Sequence, residues 1–266
     1  WDFGQGPGRP GWHLECSAMA LRLLGEPPID LHAGGVDLVF PHHENEIAQS
    51  EGATRQPFSR FWVHVEHLLI DEEKMSKSLG NQFNVPDLVK QGHRPSALRY
   101  LYISTHYRKQ LKFSWASLQQ AEEAVQRLVD FLGRLESIRG GDAHPDTQAR
   151  VARARDEFGA MLEQDLNTAG ALGVIFDLVR ALNSAIDAGE VGKPDVAAIR
   201  ETFEAFDRVL GVLSLRRAED ALAAPSSDEI ERLIENRRAA RARRDFGEAD
   251  RIRQDLAARG IILEDS

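Results

Sequence analysis

Cysteine and long apolar runs are the scarcest features of this sequence. Its 266 residues include one cysteine, Cys16, which excludes an internal disulfide framework and indicates a reducing compartment. No stretch approaches the roughly 20 apolar residues of a membrane helix, so we expect no membrane span and no secretory signal. These absences predict a cytoplasmic protein that builds its own hydrophobic core.

The charge of the chain is shifted towards acid. There are 33 Lys+Arg against 42 Asp+Glu, a formal net charge of −9. This balance argues against non-specific coating of nucleic acid and leaves a local basic face open. Residue 1 is Trp rather than Met, and a run rich in Gly and Pro follows it. We therefore expect that the chain begins inside a longer protein.

The first 115 residues alternate between short helical and extended patterns. Because strands that alternate with helices pair in parallel, these residues predict an α/β sheet. Pro41 stands where the first residue of a helix is expected. The predicted helices are Ser17–Leu24, His42–Glu51, Asp87–Gln91 and Pro95–Thr105, and the predicted strands are Ile29–His32 and Phe61–Ile70.

The rest of the chain has the periodicity of amphipathic helices. Apolar residues recur every three or four positions in four segments, which predicts a helical bundle. We expect a linker over Leu215–Asp228, and then a helical hairpin over Ile230–Arg259 with a bend near Asp245–Gly247. The hairpin has nine Arg against six Asp+Glu, so it is basic within an acidic chain.

Cys16, His42 and Glu46 are of the types that bind zinc. Thiolate, imidazole and carboxylate together suit a tetrahedral Zn²⁺ site, and residues four apart share one face of a helix. His43 lies in the same segment, so position alone does not decide which histidine binds. The alternative is a capped helix with a polar outer face beside a buried free thiol.

The segment over residues 71–81 contains two lysines, Lys74 and Lys77, separated by Met and Ser and followed by Gly80. A mobile cationic loop of this kind can stabilise the charge that develops on a polyphosphate. The alternative is a solvated lysine turn. The string Lys-Met-Ser-Lys-Ser is nevertheless expected by chance in roughly one chain in ten thousand of this length.

That string resembles the nucleotide-binding signature of class I aminoacyl-tRNA synthetases. Three further strings make the resemblance narrower, and the chain is identified as a member of the cysteinyl-tRNA synthetases. These strings are residues 8–19 (Gly-Arg-Pro-Gly-Trp-His-Leu-Glu-Cys-Ser-Ala-Met), 30–35 (Asp-Leu-His-Ala-Gly-Gly) and 40–46 (Phe-Pro-His-His-Glu-Asn-Glu). The likeness continues through residues 97–100 to the terminal residues 260–265.

The resemblance implies a zinc ion in the cysteine pocket, held by two cysteines, a histidine and a glutamate. Cys16 matches the second cysteine, His42 the histidine and Glu46 the glutamate, whereas no residue of the chain matches the first cysteine. A thiolate binds Zn²⁺ directly and a serine hydroxyl binds it poorly, so the metal would select the substrate. Trp12 and His32 match positions near the bound cysteine.

The resemblance also implies the reaction. ATP, with Mg²⁺, and cysteine would give cysteinyl-adenylate and pyrophosphate, and cysteine would then pass to tRNA(Cys). Lys77 is the expected ATP contact, and Lys74 supports it. No side-chain nucleophile is required, so positioning and charge stabilisation would carry the reaction.

The implied fold is α/β followed by all-α, in three parts. Residues 1–115 would be the C-terminal part of a Rossmann-like catalytic domain, residues 116–215 a helical bundle along the tRNA, and residues 226–266 a small anticodon-binding helical region. Phosphate contacts are expected from arginines of the last part, although a solvated helix face is an equal alternative for any one of them. These arginines are Arg237, Arg238, Arg241, Arg243 and Arg244.

The chain departs from the family because it contains no His-x-Gly-His signature. We therefore expect a fragment that does not activate cysteine by itself. Separately, we expect the chain to be a monomer. One alternative is the related cysteine ligase of mycothiol synthesis, which the His-His-Glu-Asn-Glu string and the long basic C-terminal part oppose. Another is a non-catalytic tRNA-binding remnant, which the lysine signature opposes.

Overall fold

A computed structural model describes residues 2, 4, 6–70, 73, 74, 84–223 and 227–258. The chain divides into two compact units, Trp1–Leu210 and Gly211–Ser266. The predicted boundary between residues 115 and 116 lies inside the first unit and stays a prediction, as do the other domain boundaries.

The first part of the larger unit is a small α/β assembly built on two sheets among the described residues. Its helices are α1 (Trp12–Leu24), α2 (Glu44–Thr54), α3 (Val85–Lys90) and α4 (Pro95–Ile103). Its strands are β1 (Ile29–Gly35), β2 (Ser59–Val65), β3 (Leu68–Ile70), β4 (Glu73–Lys74) and β5 (Leu111–Phe113). Strand β1 pairs with β2 in parallel, and β3 pairs with β5 in parallel and with β4 antiparallel. The predicted parallel pairing is confirmed.

The predicted strand Phe61–Ile70 is two strands in two different sheets. The chain turns at Glu66 and His67, where backbone groups form hydrogen bonds outside the β1–β2 pair. The Glu66 N–H donates to the Tyr107 carbonyl, and the Leu111 N–H donates to the His67 carbonyl. The continuous apolar composition concealed this turn, because β-branched and aromatic residues occur on both sides of it.

The segment before α2 also differs from the prediction of a helix that starts beside Pro41. Residues Val39–His43 form a wide helical turn in which Phe40 is extended (φ −135°, ψ 134°), and the regular helix begins only at Glu44. A residue that precedes proline is pushed towards extended backbone by the proline ring, which explains the break at Phe40.

The second part of the larger unit is the predicted four-helix bundle. It contains α5 (Trp115–Glu136), α6 (Pro145–Glu163), α7 (Thr168–Asp187) and α8 (Lys193–Leu210). Helix α5 begins with a reciprocal cap between Ser114 and Ser117, and the Asn167 side chain accepts from the Gly170 N–H at the start of α7. Buried aromatic rings join the helices: Phe131 lies 5.2 Å from Phe203 between ring centroids, and Phe158 lies 4.4 Å from Phe206.

Helix α7 corrects the expectation that no segment is apolar enough for a membrane. Among the described residues, it is the helix whose length and composition would allow it to cross a bilayer. Its side chains Leu172, Ile175 and Leu182 are nevertheless buried within the bundle. The composition is therefore that of a core helix, which satisfies the same test as a membrane span.

The smaller unit contains α9 (Leu213–Ala223), α10 (Ser227–Ala242) and α11 (Phe246–Ala258). The predicted linker over Leu215–Asp228 is wrong for most of its length, because α9 occupies it. Residues 213–223 are mostly good helix formers, and Arg216 and Asp220, four apart, form an ion pair of 3.7 Å. The predicted hairpin is confirmed: α10 and α11 bury Ala240, Ala249, Ile252 and Leu256.

Candidate functional site

The three predicted metal ligands come together at the junction of α1, the turn Val39–His43 and α2. Cys16 lies one helical turn into α1, His42 lies in the turn, and Glu46 lies in the first turn of α2. One ligand atom from each residue lies within 4.8 Å of the other two. The Nε2 atom of His42 is 3.4 Å from Oε2 of Glu46. Although His42 is not in the regular helix, the wide turn still directs it towards Glu46.

Glu46 is the electrostatic centre of this site. Its side chain is fully buried, and within the described residues neither carboxylate oxygen accepts a hydrogen bond. Burial raises the pKa of this carboxyl to about 7. A buried carboxylate without partners is costly, so the position favours an occupant that supplies positive charge.

The other two residues are affected by the same burial. Burial, and then the charges of Glu46 and Glu15, raise the pKa of the Cys16 thiol, while a hydrogen bond with Trp12 opposes the change. Burial and the neighbouring His13 lower the pKa of His42. Nδ1 of His42 has no hydrogen-bond partner in the described part of the chain. A neutral imidazole beside an unpartnered carboxylate and a thiol is a donor set that fits Zn²⁺.

Trp12 and His32, the predicted substrate contacts, lie against the same cluster. The Trp12 ring is 4.6 Å from the His42 ring between centroids, and it remains 62% exposed. The His32 Nε2 atom lies 3.1 Å from Oε2 of Glu46. Burial, followed by the nearby His42 and His64, lowers the pKa of His32. The structure thus brings five predicted site residues into one cluster.

A second row of side chains lies behind the first, and it joins His43, the histidine that the sequence left as an alternative to His42, to Trp62 and His64, which the sequence did not single out. His43 is buried, and its Nδ1 atom is 2.8 Å from Nε2 of His64. The Trp62 ring lies 4.7 Å from His32 and 5.0 Å from His43 between centroids. Burial, then His32, His64 and His42, lower the pKa of His43 to about 4.

The register of β1 and β2 explains this second row. His32 pairs with Trp62, and Gly34 pairs with His64, so residues two apart on both strands share one face. The alternation of side chains along each strand is visible in the sequence. The register between the two strands is not, and it is the register that joins His64 to the site.

The lysine segment lies mainly outside the described residues. Lys74 belongs to the short strand β4, where it pairs with Leu69 of β3, and Lys77 lies outside the described residues. The predicted arginines lie on or just after α10 in the smaller unit. Arg238, Arg241, Arg243 and Arg244 are exposed, and Arg237 is half-buried.

Three family descriptions match successive parts of the chain. They are "tRNA synthetases class I (C) catalytic domain" over residues 1–123, "DALR domain" over residues 157–214, and "Cysteinyl-tRNA ligase anticodon binding domain" over residues 225–266.

Curated relatives named cysteine–tRNA ligase match the whole chain. The protein of Solibacter usitatus is 49% identical over 268 residues, and that of Koribacter versatilis is 46% identical over 292 residues. The protein of Chlamydia muridarum is 42% identical over 275 residues. All of this chain is covered in each case, but it spans only 56, 59 and 56% of the respective relatives.

A solved structure with a related fold is the LeuRS of Agrobacterium radiobacter K84, in a ternary complex with tRNA and LeuAMS. The TM-score is 0.53 at 20% identity, over 74% of this chain and 28% of the LeuRS chain. This likeness concerns the fold, which is that of a class I synthetase catalytic domain followed by helical domains. Together, the three family matches and the identity over the whole chain show that it belongs to the cysteinyl-tRNA synthetase family.

Proposed function

We propose that this chain carries the thiol-selecting and tRNA-contacting parts of a cysteine–tRNA ligase. The observation that carries the proposal is the convergence of Cys16, His42 and Glu46 on one buried position, in a chain whose relatives are named for cysteine. The proposed partners are cysteine, ATP with Mg²⁺ and tRNA(Cys). We expect a monomer that works in the cytoplasm.

The proposed metal is zinc, held by the Cys16 thiolate, the His42 imidazole and the Glu46 carboxylate. When bound, the ion would attract the thiol of cysteine in preference to the hydroxyl of serine. Support comes from the oxygens of Glu46 and Nδ1 of His42, which have no hydrogen-bond partner in the described part of the chain and are therefore open to a ligand. Discrimination through one strong contact would make a separate editing site unnecessary.

The proposed roles of Trp12 and His32 follow from their surroundings. The exposed Trp12 indole at the mouth of the cluster can cover a bound amino acid and exclude water. The His32 ring contacts both Trp62 and His43, so its position is fixed by packing. A ring held in this way can orient the polar end of cysteine without moving a proton.

The proposed role of Lys74 and Lys77 is to stabilise the negative charge that develops on the phosphates of ATP. Their spacing suits this role, because two ammonium groups on a short segment can follow charge from one phosphate to the next. The bundle and the hairpin of α10 and α11 would contact tRNA, with Arg238 and Arg241 donating to phosphates.

Zinc binding tests the centre of the proposal directly. The chain should bind one Zn²⁺ in a calorimetric titration, and Cys16→Ala or Glu46→Gln should weaken that binding by at least 10-fold. Glu44→Gln, which changes an exposed carboxylate in the same helical turn, is the matched control. Equal affinity of all four proteins would remove the metal from the proposal.

A charging assay tests the ligase function. The chain fused behind the unmatched part of the Solibacter usitatus relative should attach cysteine to tRNA(Cys), and Lys77→Ala should reduce the rate by roughly 100-fold. An amino-sugar acceptor tested in parallel separates the mycothiol alternative. The chain alone should give no cysteine-dependent ATP–pyrophosphate exchange. Salt-sensitive tRNA binding without charging by the fusion would favour the non-catalytic alternative.

A further inference from the structure

A second group of ligand atoms shares Glu46 with the first. Nε2 of His32 and Nε2 of His43 lie 3.1 Å and 3.9 Å from the same carboxylate oxygen, Oε2. All three ligand atoms lie within 4.8 Å of one another, and no sulfur belongs to the group. His43 is not among the ligands that the family resemblance assigns.

The separations in this group suit a shared cation better than direct hydrogen bonds. Neither oxygen of Glu46 has a hydrogen-bond partner among the described residues, although an imidazole nitrogen lies only 3.1 Å from one of them. Two ligands bound tetrahedrally at 2.0–2.1 Å from an ion are about 3.4 Å apart. The observed distances lie on either side of that value, so a small adjustment of the rings would admit an ion.

The surroundings of His43 are those of a metal-binding histidine. A histidine that binds metal through one ring nitrogen usually bonds its other nitrogen to a fixed partner, which sets the tautomer. His64 is such a partner, since its Nε2 lies 2.8 Å from Nδ1 of His43. With Nδ1–H of His43 donating to His64, the lone pair of Nε2 is free to face Glu46.

Gly34 leaves the space that the His43 ring occupies. A Cβ atom at this position would lie 2.8 Å from Cε1 of His43 and 3.0 Å from its Nε2. Both contacts are closer than side chains ordinarily tolerate, so an alanine would displace the ring. Strand β1 thus supplies both His32 and the gap beside it.

We propose that His32, His43 and Glu46 form a second seat for a divalent transition-metal ion, with His64 as the outer partner of His43. Two imidazoles and a carboxylate favour Co²⁺, Ni²⁺ or Zn²⁺ over Ca²⁺ or Mg²⁺. This inference rests on the proposed function, in which His32 orients the bound cysteine. An ion in this seat would occupy Nε2 of His32, so that nitrogen could no longer contact cysteine. The seat would therefore make the ligase sensitive to excess metal.

Replacing Cys16 and His42, two of the three residues of the first metal site, isolates the second seat. The full chain carrying Cys16→Ala and His42→Phe should still bind one Co²⁺, followed by visible absorption and by calorimetry. Adding His43→Ala should abolish this binding, whereas adding His144→Ala, in the bundle, should leave it unchanged. Absence of Co²⁺ binding by the double variant, or indifference to His43→Ala, would overturn the proposal.

Two milder variants test the supports of the seat. In the same double-variant background, His64→Asn should weaken Co²⁺ binding by roughly 10- to 100-fold. Gly34→Ala should weaken it at least as much, although it removes no ligand. Unchanged affinity in both would show that His43 does not bind the ion.

One control measurement and one choice of conditions keep the test interpretable. Far-UV circular dichroism checks that each variant retains its helices. If the double variant loses them, the same variants are made with Cys16→Ala as the only background substitution. The result is then the loss of Co²⁺ affinity when His43→Ala is added. All measurements are made without cysteine, ATP or tRNA, so they do not depend on ligase activity. Failure of the charging assay and failure of the second seat are therefore distinguishable.

Discussion

The two parts of the larger unit treat buried polar groups in opposite ways. In the bundle, the buried carboxylate of Asp195 accepts hydrogen bonds from the backbone N–H of His144 and of Gly192, each at 3.0 Å. Near α1 and α2, by contrast, the described residues leave several buried polar atoms without a hydrogen-bond partner. They are Ser17 Oγ, His42 Nδ1, both oxygens of Glu46, Gln49 Oε1 and Ser50 Oγ.

Exposed apolar side chains show the same contrast. Leu23, Phe40 and Phe61 are each at least two-thirds exposed in the α/β part. The bundle instead buries Phe131, Phe158 and Phe203. A self-contained core satisfies its own groups, whereas the α/β part offers polar and apolar groups to something outside it. The difference separates a region that satisfies its buried polar groups internally from one that leaves several of them without a partner among the described residues.

The largest expected effect comes from the tight packing of the bundle. A Cβ on Gly192 would lie 1.9 Å from the backbone oxygen of Asp142, so Gly192→Ala should lower the free energy of unfolding by about 3 kcal/mol or more. The matched control is Gly173→Ala in α7, where the added methyl meets nothing within 4 Å and helix propensity favours alanine. Urea denaturation measures both. Equal stability of the two variants would contradict the tight packing.

The next effect concerns the satisfied carboxylate. Asp195→Ala should destabilise the chain by about 2 kcal/mol, because two backbone N–H groups lose their acceptor. Asp156→Ala, at an exposed position in the middle of α6, should change the free energy of unfolding by less than about 0.5 kcal/mol. Urea denaturation again provides the comparison. If Asp156→Ala lowered the free energy of unfolding as much as Asp195→Ala does, the buried hydrogen bonds of Asp195 would have no special weight.

Replacing the carboxylate of Glu46 should change the free energy of unfolding in the opposite direction from replacing that of Asp195. Without metal, Glu46→Leu should raise the free energy of unfolding by about 1 kcal/mol, since it replaces a buried acid that has no hydrogen-bond partner among the described residues with an apolar group of similar size. The measurement is urea denaturation in the presence of a chelator, with Glu44→Leu as the exposed control. A clear destabilisation by Glu46→Leu would mean that this carboxylate has partners within the fold.

The smallest effect belongs to an exposed clasp between the two parts. Arg108 donates to Asp165, as does the Tyr107 hydroxyl at 2.6 Å, and the first of these bonds contributes most to lowering the pKa of Asp165. Asp165→Asn should therefore reduce the melting temperature slightly at neutral pH. Because the folded state binds the proton less well than the unfolded state, the wild-type advantage should disappear as pH falls through the lowered pKa. If the two melting temperatures still differed in strong acid, the difference would arise from the backbone at residue 165 and not from the charge of Asp165.

The sequence was most informative where one segment carries its own pattern. The apolar stripes of the four bundle helices are local signals, and the four helices that they predict are present. The cluster of Cys16, His42 and Glu46 was also within reach, because each residue type is a zinc ligand. Corrections also arose within single segments, at the wide turn beside Pro41, at the turn of Glu66 and His67, at helix α9 and in the apolar composition of α7.

The parts that could not be predicted depend on contacts between segments. His64 reaches the site through the register of β1 with β2, and Tyr107 is positioned by the α6–α7 turn and the β2–β3 corner. Neither relation leaves a periodic trace in the sequence. The places of Trp62 and His64 beside His43 were therefore visible only in three dimensions.

Helix α7 shows why apolar length alone is a poor guide to surroundings. Its outer face carries Asp177, Arg180 and Asp187, and both aspartates are in ion pairs with arginines. In a bilayer, the charges of Asp177 and Arg180, which lie near the middle of the helix, would cost roughly 2.5–3.5 kcal/mol each. The same groups cost little where they face water, while the opposite face of the helix closes the bundle core. What distinguishes this helix from a transmembrane span is thus the direction in which its few charges point.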